Sequence, residues 1–370
     1  VASANCKDQV GTDGYTLWGG YWNQAYYPSR INSYMPAQNE KNQLPVPVFR
    51  MLGSDPIRQY DHGLGSDRQG VITLEPVYPA AGGDEAWVKW FFKQLVEGEA
   101  MEFGYAQAGQ ENSFTWNGMS KGFEIQMPLI ASLRDQKKIR VETLLESGKW
   151  FRKRYKITPA TSVTVNEDLD NSDRKTVWFN SRFYRTNLLW ENGKLNIRDI
   201  HLFDETFPSV YTENKATSNE CSFFTLPFVD GYIWSKPNEI AGLRFKTLID
   251  GTEVSIEGGN PTIKSLSPGK LRVTWPLTNI NGSMIIDMDE KQMNIRLEGY
   301  ASAEWFLDLT TAKQAILPFL NVEANKISCS FENKEYGVTA LAGSFEKPEG
   351  TVFRLVPSGQ QISLNLAERK

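Results

Sequence analysis

A chain of 370 residues with 40 basic and 44 acidic side chains, a net charge of −4 and no Lys/Arg run gives no electrostatic case for nucleic acid or an anionic membrane surface. No apolar run approaches the ~18 residues of a membrane span, so no membrane insertion is expected, and the length favours two domains. Cys6, Cys221 and Cys329 are far apart and odd in number, which points to neither a disulfide framework nor a CxxC metal site.

The chain begins at Val1 without a Met or signal peptide and reads as a processed or truncated product. Over residues 1–156 short apolar runs alternate with helical patterns. Tyr15 to Trp18 reads as a strand, Val48 to Leu52 as a second and Val71 to Leu74 as a third. Proline cannot donate to a ladder and restricts the residue before it, so Pro56 and Pro76 mark strand ends. Asp84 to Val96 opens with acidic residues and repeats apolar ones at i, i+3 and i+4, an amphipathic helix closed by Gly98. Glu102 to Trp116 supplies a fourth strand, which breaks into amides, a carboxylate and aromatics. Gly118 to Gln136 supplies a second helix, with Pro128 kinking it or delaying its start. Ile139 to Leu145 is a fifth strand ending at Glu146, and Lys149 to Tyr155 starts a short helix. Strands alternating with helices imply βαβ units and a mostly parallel sheet. The expected fold here is α/β, a partial or complete (β/α) barrel-like domain short of its first strands, with an open α/β sheet as the alternative.

From residue 157 to 370 the pattern changes to short strand-like runs such as Phe183 to Trp190, Leu195 to Leu202 and Leu271 to Trp275. Turn signals separate them, among them Asn192-Gly193, Asp250-Gly251, Pro268-Gly269 and Asn281-Gly282. That spacing implies an all-β second domain, a large antiparallel β-sandwich.

Four expected strand ends carry carboxylates: Asp55, Glu75, Glu111 and Glu146. On parallel strands they would converge on one rim, where α/β sites gather. Glycoside hydrolysis needs two carboxyl groups, one as general acid and one as nucleophile or base. Glu111, beside Phe114 and Trp116, is the candidate acid, since desolvation raises a carboxyl pKa. Glu75 is its candidate partner, and Asp55 and Glu146 are held in reserve. The alternative for all four is a solvated loop. The loop from Trp18 to Tyr27 holds two Trp and three Tyr among Gly, Asn and Gln. Flat apolar faces beside amides match a sugar's apolar face and hydroxyl rim. Trp18, Trp22, Tyr27, Gln110, Asn112 and Trp116 are therefore the candidate sugar contacts, against the alternative of a packed loop.

Other motifs carry less. Gly118 to Gly122 matches GxSxG but follows a polar loop instead of a strand. Gly63-Leu64-Gly65 with Gly70 precedes a strand and lacks the dinucleotide spacing. With only His62 and His201, a His-rich metal centre cannot be built from this chain, and no metal or cofactor is assigned; His62, beside Asp61, reads as a turn residue, with a substrate contact or a lone oxygen-rich cation ligand as the alternatives.

Four segments carry a resemblance: FRMLGSDPIRQYD (49–61), GQENSFTW (109–116), VETLLESGKWFRKRY (141–155) and NSRFYRTNLLWENGKLNIRDIHLFDE (180–205). Together they resemble an uncharacterised group of bacterial proteins provisionally described as glycoside hydrolases, in which a β/α barrel precedes a β-sandwich. Members carry more barrel before the position where this chain begins. The architecture is also similar to carbohydrate-active enzymes with a galactose-mutarotase-like supersandwich. The resemblance implies a carbohydrate-active hydrolase of oligo- or polysaccharides, expected in the periplasm, at the cell surface or secreted. A non-catalytic glycan-binding protein and a structural module centred on the sandwich are the rival readings.

Overall fold

The computed structural model describes residues 2–4, 24–50, 55–58, 61, 73–77, 81–108, 115–207, 215 and 225–368, with 2–4 and 50 described by backbone alone. Two antiparallel sheets dominate. The ten-stranded sheet runs Ser344–Glu346, Arg354–Val356, Trp305–Thr310, Gly242–Ile249, Lys194–Leu202, Tyr184–Glu191, Lys175–Asn180, Thr161–Val165 from edge to edge. Two further strands, Thr252–Ser255 and Leu226–Asp230, pair onto its middle. The eight-stranded sheet runs Thr262–Ser267, Lys270–Pro276, Ser283–Met288, Gln292–Glu298, Gln361–Asn365, Lys334–Ala342, Lys326–Phe331, Phe319–Val322.

Side-chain alternation explains why the two sheets meet. Along Lys270–Pro276, Leu271, Val273 and Trp275 are buried while their neighbours are not, the period-2 signature of a strand with one face in the core. That face meets the ten-stranded sheet, and Phe245 of one sheet lies edge-on to Trp275 of the other with ring centroids 5.9 Å apart. Chain reversals use left-handed residues where a tight hairpin needs them: Asn192 and Gly193 have φ of 53° and 70° between Tyr184–Glu191 and Lys194–Leu202.

The ten-stranded sheet is covered on its second face as well. Tyr184 to Trp190 and Leu195 to Leu202 are buried at every position. Its second face carries polar groups, including Arg185 and Asp199, which pair at 3.1 Å with both side chains fully buried. A third layer built from the N-terminal half covers this face. Arg198 donates to the Ile57 carbonyl at 2.8 Å, and Trp178 Nε1 to that of Pro56 at 2.9 Å. The layer holds α1 (Glu85–Glu97), α2 (Trp116–Asp135) and α3 (Leu144–Arg154). Trp87, Val88, Phe91 and Phe92 of α1 pack with Val165 and Leu189 of the sheet.

Among the described residues neither the (β/α) barrel nor an open parallel α/β sheet is formed; the fold is β-rich. Among the described residues of 1–156, the strands form only a small mixed sheet, in which Val48–Arg50 pairs parallel with Ala2–Ala4 and antiparallel with Ala25–Tyr26. Two expected strands fail for identifiable reasons. Residues 139–143 are irregular and Leu144 starts a helix, because Thr143 and Glu146 close a capping box. The stretch after Met101 does not pair because Glu102 takes a left-handed φ of 63°, with Phe103 N donating back to the Met101 carbonyl at 2.7 Å. Of Val71 to Leu74, the described pair Thr73 and Leu74 forms an isolated bridge and a bend. The expected strand Tyr15 to Trp18, His62 and the Gly63 motif lie outside the described residues. No helix among the described residues is long and apolar enough to cross a membrane.

Candidate functional site

A groove of about 540 Å³ opens between α1, the segment 103–108, the end of α2 and the start of α3. Its aromatic wall is Phe103, Tyr105 and Trp150. Phe103 stands nearly perpendicular to Trp150, with ring centroids 5.4 Å apart, and Tyr105 lies edge-on to Phe49 at 5.1 Å. Polar groups share the lining. Tyr105 donates to Gln107 Oε1 at 3.4 Å, and burial holds the Tyr105 hydroxyl well above its ordinary range, so it stays a neutral donor. The Arg140 guanidinium lies over the Trp150 ring, 5.1 Å from its centroid.

Local structure accounts for this wall. The Thr143 cap starts α3 at Leu144, so Leu144, Ser147 and Trp150 follow at three-residue spacing and line the groove from one face. Behind Trp150, Phe151 and Tyr155 form a buried aromatic cluster with Tyr27 and Phe49. Phe103 packs edge-on to Phe151 at 5.9 Å, which anchors the visible wall to the core.

The structure sorts the expected site residues. Glu75 is half-buried and its backbone is tightly held. Gly82 and Gly122 crowd against it, since a Cβ at either would fall 1.9 Å from the Glu75 carbonyl oxygen or 2.1 Å from that of Pro76. Gln126 adds donations to the Leu74 and Gly82 carbonyls at 2.7 and 2.6 Å. Leu74, next to Glu75, lines the groove, and so does Ala108, three residues before Glu111. Glu111, Gln110, Asn112, Trp18 and Trp22 lie outside the described residues.

Asp55 and Glu146 are engaged in local structure. Asp55 is fully buried and accepts from the backbone N–H groups of Ile57 and Arg58 at 2.9 and 2.7 Å and from Trp87 Nε1 at 3.0 Å. Burial pushes its carboxyl up, and these donors with Arg58 pull it back only in part. The Glu146 carboxylate accepts from the Thr143 backbone and hydroxyl at 2.7 and 2.8 Å, which holds it below the usual range. Tyr27 is buried and donates to the Tyr155 carbonyl at 2.8 Å, so its ring faces the core. Trp116 is 68% exposed at the start of α2, stacked on Phe123 at 6.1 Å. Gly118 to Gly122 lies inside α2 and is not a strand-to-helix elbow.

Trp150, Tyr105, Phe103, Gln107 and Arg140 are groove residues that the sequence reading did not single out. The Thr143-x-x-Glu146 capping box was the available signal, because it sets the face on which Trp150 falls. A second cleft, about 670 Å³, lies between the end of α1, the loop 166–175 and residues 260–263, with no aromatic ring in its lining. Its Glu167 pairs with Lys93 at 2.5 Å and its Asp173 with Lys175. His201 lies 3.3 Å from Asp230 and shares a hydrogen bond with Thr225 at 2.9 Å, and all three residues are buried. Among the described residues no group of three or more His, Cys, Asp or Glu side chains is placed to hold a metal ion.

No protein-family model matches the chain, and no curated protein does. Among solved structures, a Parabacteroides distasonis protein provisionally described as a glycoside hydrolase/deacetylase is similar over 50% of this chain, at 18% identity and a TM-score of 0.40. The match covers 48% of that protein, so this chain spans about half of its length.

Proposed function

We propose that the groove binds an oligosaccharide or polysaccharide and that the protein is a carbohydrate-active hydrolase, with Glu111 as general acid/base and Glu75 as its carboxylate partner. One observation supports the reading: Leu74, which precedes Glu75 in sequence, and Ala108, three residues before Glu111 in sequence, both line a single groove walled by aromatic rings and an oriented amide. Rings receive the apolar face of a sugar, and the amide and tyrosine hydroxyl receive its hydroxyls. The rigid backbone at Glu75 suits a group that must be held in place.

Reducing-sugar release from a panel of oligosaccharides tests this. Glu111→Gln and Glu75→Gln should each lower turnover by about 10²- to 10⁴-fold, the usual contribution of a general acid or base, while the variants keep the native melting temperature. Full turnover in both variants would overturn the assignment.

A non-catalytic glycan-binding role is the second reading. It is favoured by the engagement of Asp55 and Glu146 in local hydrogen bonds, which takes two of the four acidic candidates out of the chemistry. Saccharide binding by the native chain without any turnover would select it.

A further inference from the structure

Where the groove opens at the end of α2, its rim carries Lys137, Lys138 and Arg140 beside the carboxylate Glu142. Glu142 is already engaged, pairing with Arg140 at 3.2 Å and accepting from Ser147 Oγ at 2.9 Å. Lys137 and Lys138 are exposed and form no ion pair among the described residues. The rim is therefore positive in a protein whose net charge is −4. Such a local excess of positive charge draws anions.

Lys137 has a φ of 60°, and its N–H donates to the Arg134 carbonyl at 2.8 Å. This is the left-handed position after a helix, where glycine is the usual residue and another side chain is strained. The negative end of the helix dipole makes cations comfortable there. It does not account for their placement along the lining of an aromatic groove.

Resting on the glycan reading above, we infer that the saccharide this groove takes is acidic, a chain bearing uronate carboxylates or sulfate esters. Lys137 and Lys138 receive the anionic groups, and the wall of Phe103 and Trp150 receives the rings. Arg140, held over Trp150, places a third cation between the two.

Titration calorimetry on the full chain tests this with four ligands: a tetragalacturonate, its methyl-esterified counterpart of the same skeleton, a sulfated tetrasaccharide and the desulfated form of that tetrasaccharide. At low salt at least one acidic ligand should bind about tenfold or more tightly than its neutral counterpart, the acidic ligand preferred identifying carboxylate or sulfate as the group read. The gap should close at roughly 0.5 M salt, where exposed charges are screened. The triple variant Lys137→Gly, Lys138→Gln and Arg140→Gln should abolish the preference, with Lys137→Gly and Lys138→Gln alone removing most of it; the glycine also suits the left-handed backbone, so folding is kept. Equal binding of each acidic ligand and its neutral counterpart, or a preference that survives the triple variant, overturns the inference and leaves the glycan reading standing. Failure of all four ligands to bind overturns both.

Discussion

The indole N–H of Trp87 donates to Asp55 Oδ2 at 3.0 Å, with both residues cut off from water. This bond joins α1 to the turn at Pro56 and Ile57, whose carbonyls receive Trp178 and Arg198 from the ten-stranded sheet. Asp55 is thus the joint between the covering layer and the sheet. Trp87→Phe should cost about 1–3 kcal/mol, because it leaves a buried carboxylate oxygen with one donor fewer. Asp55→Asn should cost at least as much, since an amide can face the two backbone N–H groups or the indole, but not both, with an acceptor. Chemical denaturation measures both, and a catalytic Asp55 would instead show lost turnover at unchanged stability.

A second prediction concerns acid. Asp287, on the eight-stranded sheet, accepts from Arg272 at 2.7 and 2.8 Å and from Arg296 at 2.9 Å. Burial pushes its carboxyl up, but the two guanidinium groups outweigh that and hold it below the usual carboxylate range. A group whose folded pKa is depressed contributes stability that is present above the unfolded value and is lost as pH falls through the folded one. The penalty of Asp287→Asn, measured by urea midpoints, should therefore be full near neutral pH and shrink below pH 3.8. A penalty independent of pH would mean that the two arginines stabilise no charge there.

The antiparallel strands were legible in the sequence where one face is buried and the turn is tight. Leu271, Val273 and Trp275 alternate with exposed neighbours, and Asn192-Gly193 closes its hairpin with left-handed residues. The edge strand Thr262–Ser267 was not legible, because an exposed strand has no burial pattern to display. The barrel was misread for a different reason. Val141 and Thr143 favour strands by type, but the capping box at Thr143 and Glu146 competes for the same residues and wins. That misreading also hid part of the candidate site, since Trp150 points into the groove only on a helix that starts at Leu144. Glu75 was expected to end a strand, Val71 to Leu74, of which the described residues form only a bridge and a bend. The clamp around it, from Gly82, Gly122 and Gln126, depends on helix packing that no local pattern encodes.

Trp150 is the residue on which the binding reading can be separated from stability. Its ring stands edge-on to Phe103 at 5.4 Å and to Tyr155 at 5.8 Å, and Arg140 lies over it. Truncation to alanine removes the broadest ring in the wall and releases the guanidinium. If this ring is the anchor of a bound saccharide, Trp150→Ala should weaken binding by about 2 kcal/mol, ~30-fold in Kd, as truncation of a buried aromatic anchor does. The same change also strips packing from the cluster behind it, so a stability loss alone would prove nothing. Trp150→Phe keeps the edge contacts while narrowing the exposed face, and it should recover most of the melting temperature but only part of the affinity. Calorimetric titration and thermal unfolding on the same two variants separate the effects, and an affinity that tracks the melting temperature in both would remove Trp150 from the site.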